Sequence, residues 1–563
     1  MGKMIKKNWN ILKADKVLVN KLAFDLNVSN EIASLLVLRG ITNYENAKCF
    51  FRPSLDAIHD PFLMKGMKIA VNRLVLAKAK RENILVYGDY DVDGTTSVSM
   101  MYLFLLNEGL NVKYYIPDRY DEGYGVSKKG IDFANTNNIS LIITLDCGIR
   151  AVEQVKYANN YNIDLIICDH HNPGKKLPEA HTILNPKQLD CKYPFKELSG
   201  CGVGFKLIHG YSNYHKIKFE KISRYLDLLA ISIISDMVPI NGENRVFAFH
   251  GLKKINKNPS VGIQSLINIS KKQSSIHSSD ILFGIAPLIN AAGRISHAKY
   301  AVELLIEESP LKAKKYSEEI LNNNIERKDL EKSITNEALE MVDKKKFSSV
   351  VFSNSWHKGV VGIVASRLID VYYKPTIVLS EHNGMLTGSA RSVKGFDIYK
   401  AIEKCSYLCD KFGGHKYAAG LSIKKKNIDI FIAKFEEIVS KSIKPEQLIQ
   451  NIDIDLKINL LDIDNKFYRI LKQFSPFGPG NKTPVFITKN LCFDGEKRFI
   501  GSDKSHVKLK FARENLSSID AIGFGFASFF LNHNNESIDI CYSLNENTWM
   551  SKTTLQINLI DVI

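Results

Sequence analysis

Short apolar runs alternate with amphipathic stretches through the first half of this chain. Ile84 to Val86, Leu141 to Leu145 and Leu165 to Cys168 have the length of buried strands, while Ser97 to Leu106 and Ala151 to Asn159 carry apolar residues at helical spacing. That βαβ rhythm predicts a parallel sheet covered by helices. Residues 1–75 are helical in pattern. Between Pro310 and about Lys345 there is no glycine, and Leu321, Ile325, Leu330, Ile334, Leu339 and Met341 recur near helical spacing. This predicts one or two long helices, with Pro310 suited to a first helical position. A second α/β unit follows, with strands at Ser349 to Phe352 and Thr376 to Leu379 and a helix from near Val361. From about Leu448 the texture turns all-β, with alternating runs at Ile452 to Ile458, Val485 to Ile487, Val507 to Phe511, Ile519 to Phe524, Ile538 to Tyr542 and Leu555 to Ile560. Runs of that size suit a small closed barrel. The fold class is therefore multi-domain α/β with an all-β end. Its expected divisions are a helical segment (1–75), a parallel-sheet lobe (76–300), a connecting helix (301–346), a smaller α/β lobe (347–446) and the barrel (447–563).

The predicted strands end in acids. Asp89, Asp91 and Asp93 follow the first, Asp146 the second, and Asp169 the third, where His170 and His171 join it. In open α/β sheets ligands bind at the carboxyl ends of strands. One acid after a strand is commonly a helix cap, but acids on three strands beside a His pair form a constellation. Carboxylates converging in a crevice require a cation to offset their burial, so a divalent metal site is expected. Asp236, at the end of the apolar segment from Ala230, is a fourth contributor. The run Asp89-Tyr-Asp-Val-Asp-Gly94 also matches the opening of an EF-hand loop. That loop needs a Glu at its twelfth position, where this chain has Met100, and a helix in front, where this chain has a strand pattern.

Charge adds a partner class. The 76 basic and 60 acidic residues leave a formal +16, which favours a polyanion such as nucleic acid. Lys508, Lys510 and Arg513 with Phe474, Phe477 and Phe486 make single-strand binding by stacking and a basic groove one reading of the barrel, and ordinary barrel core the other. Gly388-Ser-Ala-Arg391 and Gly413-Gly-His415 set donors beside glycines, a combination that suits a phosphate. Either motif alone is weak: Arg391 also reads as a surface ion pair and His415 as a turn residue. The nine cysteines show no metal-ligand pairing and read as reduced thiols of a cytoplasmic protein. No apolar run reaches the ~18 residues of a membrane span, and the basic N-terminus lacks the apolar segment of a signal peptide.

These residues carry a resemblance. Tyr87-Gly-Asp-Tyr-Asp-Val-Asp-Gly94, Asp146-Cys-Gly148, Asp169-His-His171 and Asp236 follow the motif order of the DHH phosphoesterases, and Gly388–Arg391 and Gly413–His415 resemble the associated DHHA1 domain. More narrowly, Asn185-Pro-Lys-Gln188, Asn290-Ala-Ala-Gly-Arg294 and Pro476-Phe-Gly-Pro-Gly-Asn481 look like the RecJ family of bacterial single-strand-specific exonucleases, in order from about residue 50 to the end. The resemblance implies a parallel-sheet DHH lobe and a DHHA1 lobe joined by a long helix, a C-terminal OB-fold, and hydrolysis of single-stranded DNA from the 5′ end. It further implies Asp91, Asp93, Asp146, His170 and Asp236 as ligands of two ions, Mn2+ or Mg2+, with Asp146 between them. Asp89 is implied as a supporting residue, and Asp169 and His171 as outer or phosphate-facing groups. Arg119, Arg294, Ser389 and Arg391 resemble terminal-phosphate contacts, and His415 a scissile-phosphate contact. Tyr87 stands where the family frequently has a ligand His.

Two ions in such a site can activate water for in-line attack on a phosphodiester. A single-strand binding protein, a helicase and recombination or mismatch-repair proteins are implied as partners, with the chain itself a monomer. The rival readings are a phosphodiesterase or pyrophosphatase of the same superfamily acting on short oligonucleotides, cyclic dinucleotides or pyrophosphate, and a DNA-binding accessory protein whose catalytic lobe has decayed.

Overall fold

The strand Asn83–Gly88 (β1) is buried at every position after its first, as expected of a central strand in a sheet covered on both faces. Four more parallel strands complete the sheet: Asn111–Tyr115 (β2), Ile139–Leu145 (β3), Asp164–Cys168 (β4) and Thr182–Leu184 (β5), in the spatial order β2-β1-β3-β4-β5. The order reverses between β1 and β3, and in doubly wound sheets that switch point opens a crevice at the strand ends. Helices Val92–Asn107 (α1), Lys128–Thr136 (α2) and Val152–Asn159 (α3) are the crossovers, and Gly200–Tyr214 (α4) and Leu226–Ser235 (α5) pack with α1 in the core. The computed structural model describes residues 7–270, 272, 275–493, 497–513, 516–532, 537–549 and 552–563.

The chain forms two compact units that are discontinuous in sequence. One comprises Pro53–Leu330 with Ser475–Asn481, and the other Met1–Arg52, Glu331–Phe474 and Lys482–Ile563. The segment Ser475–Asn481 is bound into the first unit: the guanidinium of Arg245 donates to the carbonyls of Ser475 and Pro476, and the N–H of Ile240 to that of Pro479. Pro310–Met341 (α6) is a single 32-residue helix with Pro310 as its first residue, and the division between the units falls within it.

In the second unit, strands Ser349–Ser353 (β6), Thr376–His382 (β7), Met385–Arg391 (β8), Cys409–His415 (β9) and Ala418–Lys424 (β10) form a mixed sheet in the order β9-β10-β8-β7-β6. Helix Val361–Tyr372 (α7) packs on it. A seven-stranded sheet follows, from Leu456–Lys457 to Lys552–Val562, with Phe486, Val507, Leu509, Phe511 and Tyr542 in its core. One expectation changes here, and a reading left open is decided. Residues 1–75 are not wholly helical: Lys7–Ile11 is a strand paired in parallel with Gln450–Ile454, and the Trp9 indole donates to Asp561 at 2.7 Å. That pairing joins residues more than 400 apart, so no local period announces it. Phe474 and Phe486 are fully buried, Phe474 edge-on to Phe50 and Phe51 and Phe486 against Tyr542. Their faces are core and are closed to a nucleobase.

All nine cysteines are free. Among the described residues no helix is long and apolar enough to cross a membrane.

Candidate metal centre

At the switch point β1 ends in Gly88, and the next residues turn so tightly that a Cβ at Gly94 would lie 2.2 Å from the Asp89 carbonyl oxygen. Only glycine fits. The turn presents Asp89, makes Asp91 the N-cap of α1 with its Oδ1 accepting from the Gly94 N–H, and places Asp93 in the first helical turn. Asp93 is held on three sides: the N–H groups of Gly200 and Cys201 donate to it at 2.6 and 2.9 Å, and the Ser232 hydroxyl at 2.6 Å. These are the open N–H groups at the start of α4, where a carboxylate is favoured. Asp146, just past β3, sits at φ 59°, in the left-handed region that side chains seldom enter and that clusters at functional sites. Asp236 caps the C-terminal end of α5.

His170 joins these elements. Its Nε2 lies 3.2 Å from Asp146 Oδ1, 3.6 Å from Asp236 Oδ2 and 3.9 Å from Asp93 Oδ2. His171 Nδ1 lies 3.8 Å from Asp146 Oδ1 and 2.8 Å from Asp169 Oδ1. Asp169 is satisfied by its own scaffold, accepting from the N–H groups of Ile149, His170 and His171. Donor atoms of Asp89, Asp91 and Asp146, of Asp93, His170 and Asp236, and of Asp146, His170 and His171 each gather within 4.8 Å.

The electrostatics are those of a cation site. Burial, and then the neighbouring acids, push the carboxyls of Asp89, Asp91 and Asp146 up, and that of Asp236 up to about 9. Burial holds His170 below its ordinary value, so the ring is neutral and offers a lone pair. Burial alone would lower His171 and raise Asp169, but the hydrogen bond between them wins and shifts each the opposite way. Asp89 Oδ1, Asp146 Oδ1, Asp236 Oδ2 and both ring nitrogens of His170 are buried without a hydrogen bond. The 3.2 Å approach of His170 to Asp146 lacks the angle for one. Buried acceptors that repel one another and lack donors fit a divalent cation. An oxygen-rich set with one imidazole suits Mn2+ or Mg2+.

Arg119 borders the acids. The Arg119 guanidinium lies 4.0 Å from the Tyr90 ring centroid, and its charge lowers the carboxyls of Asp89 and Asp91 against their burial. Arg294 lies in the last turn of the helix Ala286–Ile295, its carbonyl accepting from the Tyr120 hydroxyl. A Cβ at neighbouring Gly293 would come within 3.1 Å of the Tyr90 carbonyl oxygen. In the other unit, Ser389 and Arg391 lie on β8 beside the first turn of α7, where a Cβ at Gly362 would be 3.1 Å from both side chains. His415 ends β9 and is exposed. Tyr87 is no part of the acid cluster: its hydroxyl donates to the Gly125 carbonyl at 3.0 Å and accepts from the Ser127 N–H, and its ring stacks on Tyr115.

Three family models match the chain: the N-terminal domain of the DHH family over residues 83–233, the DHHA1 domain over 343–441 and the RecJ OB domain over 454–561. The single-stranded-DNA-specific exonuclease RecJ of Bacillus subtilis is 38% identical over 525 residues, 92% of this chain and 66% of that protein. RecJ of Haemophilus influenzae is 30% identical over 543 residues, 91% of this chain and 92% of that protein. The chain belongs to the RecJ family. A crystal structure of RecJ from Thermus thermophilus in complex with Mn2+ has the same fold, with TM-score 0.85 and 24% identity over 99% of this chain and 79% of that one. The OB domain of the family is thus the seven-stranded sheet, and the DHH model covers every site acid except Asp236, which lies just beyond it.

Sequence reading missed Gly200, Cys201 and Ser232, which hold Asp93, and Tyr124, whose hydroxyl donates to the Asp146 carbonyl. Ser232 carried a signal, since it stands four residues before Asp236 on one helix face. Gly200 carried another in Ser199-Gly-Cys-Gly, a capped glycine-rich helix start. Tyr124 carried none.

The raised carboxyls predict a pH dependence. Asp236 titrates at about 9 when folded and near its ordinary value when unfolded, so the metal-free protein loses stability as pH rises between the two. A cation takes the deprotonated carboxylates and cancels that loss. The rise in Tm on adding Mn2+ to EDTA-stripped protein is expected to be several degrees larger at about pH 8.5 than at about pH 6. An increment independent of pH would exclude these carboxyls as ligands.

Proposed function

We propose that this chain is a metal-dependent exonuclease that hydrolyses single-stranded DNA in the 5′ to 3′ direction and releases mononucleotides in DNA repair and recombination. The observation carrying this reading is the convergence of Asp91, Asp93, Asp146, His170 and Asp236 at the switch point of a parallel sheet. It occurs in a family whose B. subtilis and H. influenzae members are single-stranded-DNA-specific exonucleases.

Those five residues would hold two ions, Mn2+ or Mg2+, with Asp146 shared between them. When bound, the ions supply an activated water and offset the charge that gathers on the phosphate. The chain's own groups set the geometry. The start of α4 and Ser232 keep Asp93 from turning, and Asp169 locks the backbone under His170 and His171. Arg119 and Arg294 bring positive charge to the rim. Ser389 and Arg391, at the N-terminal end of α7, suit a terminal phosphate, and His415 the scissile one. Lys508, Lys510 and Arg498 share an exposed stretch of the OB sheet and would follow the DNA backbone. Arg513 is less suited, because its guanidinium is tied to the carbonyls of Ile463 and Ser517. The resemblance extends the proposal to a cytoplasmic monomer working beside single-strand binding protein, a helicase and recombination or mismatch-repair proteins.

The test is digestion of long single strands labelled at either end, with and without a 5′ phosphate, in Mn2+ or EDTA, against a dinucleotide. Label from the 5′ end is expected to appear first as mononucleotide, only with Mn2+. Faster hydrolysis of the dinucleotide than of the long strand would turn the reading to a short-substrate phosphodiesterase.

A further inference from the structure

The loop between β2 and α2, residues 116–127, reaches the acid cluster while holding itself in shape through its own side chains. It carries Arg119 against Tyr90 and Tyr124, whose hydroxyl donates to the Asp146 carbonyl at 3.0 Å and lies 3.3 Å from His171 Nδ1. A loop of this length loses order unless something ties its ends. The tie is Glu122. Its Oε1 accepts from the Asp118 N–H at 2.8 Å, and its two oxygens accept from the Tyr115 hydroxyl at 3.1 and 3.0 Å. The Ser127 hydroxyl also donates to it. The return contacts run from the N–H groups of Glu122 and Gly123 to the Asp118 carbonyl.

These anchors belong to different elements. Tyr115 ends β2, and Ser127 is the N-cap of α2, its oxygen accepting from the Gly130 N–H. Tyr87 on β1 completes the frame, stacked on Tyr115 at 5.3 Å and bonded to Gly125 and Ser127. One carboxylate therefore binds the beginning of the loop, the strand before it and the helix after it.

We infer that Glu122 is a positioning residue: its carboxylate closes the base of the 116–127 loop and so fixes Arg119 and Tyr124 at the edge of the metal centre. The inference rests on the proposed nuclease function for its kinetic consequence, but not for its structural one. Glu122 touches none of the five proposed ligands, so removing it loosens the rim and leaves the ions in place.

The test uses the full chain with Mn2+. Glu122→Ala is expected to raise KM for single-stranded DNA about tenfold with kcat within about twofold and Mn2+ affinity by calorimetry unchanged. Glu122→Gln, which keeps an acceptor oxygen for the loop, recovers most of the loss. Because Glu122 acts through Arg119 and Tyr124, the Glu122→Ala/Arg119→Ala/Tyr124→Phe triple variant is expected to be no worse than the Arg119→Ala/Tyr124→Phe pair. Losses that multiply, or a fall in Mn2+ affinity matching the fall in activity, would overturn the inference. Hydrogen exchange separates its failure from that of the nuclease reading: amides of 117–126 exchange faster in Glu122→Ala whatever the substrate, and unchanged exchange there sinks the positioning role. Wild-type protein inert towards single-stranded DNA would sink only the function.

Discussion

Replacing Asp146 by alanine is expected to lower the Mn2+-dependent hydrolysis of single-stranded DNA by about 10³-fold or more in kcat, while affinity for the strand changes less than about threefold. Asp146 takes part in two of the three donor groups of the centre, and its Oδ1 is the nearest carboxylate oxygen to His170 Nε2. Its backbone sits at φ 59° with its N–H bonded to the Cys168 carbonyl, so no neighbour can move into its place. The strand is proposed to be held mainly elsewhere, by exposed cations of the OB sheet and by the arginines, and those contacts survive the change. Steady-state hydrolysis measured beside fluorescence anisotropy with a labelled oligonucleotide separates the two effects. Hydrolysis retained within about tenfold would remove Asp146 from the centre.

Gly200→Ala is expected to have the next largest effect, although the residue carries no functional group. A Cβ there would lie 2.5 Å from Asp146 Cβ, 2.7 Å from its Cα and 2.8 Å from its Oδ1. These are atoms of a backbone-fixed residue that cannot rotate away, so α4 must shift, and overpacking of this kind costs about 1–3 kcal/mol. The first N–H groups of α4 hold Asp93, so the shift also disturbs that carboxylate, and orienting groups around a metal are each worth about 10–100-fold in its affinity. Calorimetric titration with Mn2+ should show that loss, with hydrolysis at saturating metal down about tenfold or more. Gly174→Ala, on a loop where the nearest atom to the new Cβ is 3.5 Å away, should leave both unchanged. Equal metal affinity in Gly200→Ala and wild-type protein would show that Asp93 does not depend on α4.

Much of the site was legible because its chemistry is local in sequence. The run from Asp89 to Gly94 places three acids within five residues, and strand periodicity alone puts them at the ligand-binding edge of a parallel sheet. Asp146 and the Asp169–His171 run were legible for the same reason. Asp236 was half visible: the apolar helix before it is plain, but nothing local distinguishes an aspartate that joins the acid cluster from a cap. Glu122 and Tyr124 were invisible, since an acid and a tyrosine in a polar, glycine-bearing loop carry no period, and their meaning lies in partners on other elements. The aromatics at the barrel were left open between stacking and core. Phe474 and Phe486 offered stacking surfaces on paper, and packing against Phe50, Phe51 and Tyr542 closed them.

Residue order by itself determined the alternation of strands and helices, a long helical stretch from Pro310, the all-β end and the clustering of acids at strand ends, because each depends on hydrophobic period and turn chemistry within a few residues. Only the tertiary structure decided the strand order that opens the crevice between β1 and β3, the parallel pairing of Lys7–Ile11 with Gln450–Ile454, the capture of Ser475–Asn481 by the first unit and the seating of Asp93 on α4. Those outcomes join residues tens to hundreds of positions apart. They are selected by what each segment can bury or hydrogen-bond once all are assembled, which no local pattern records.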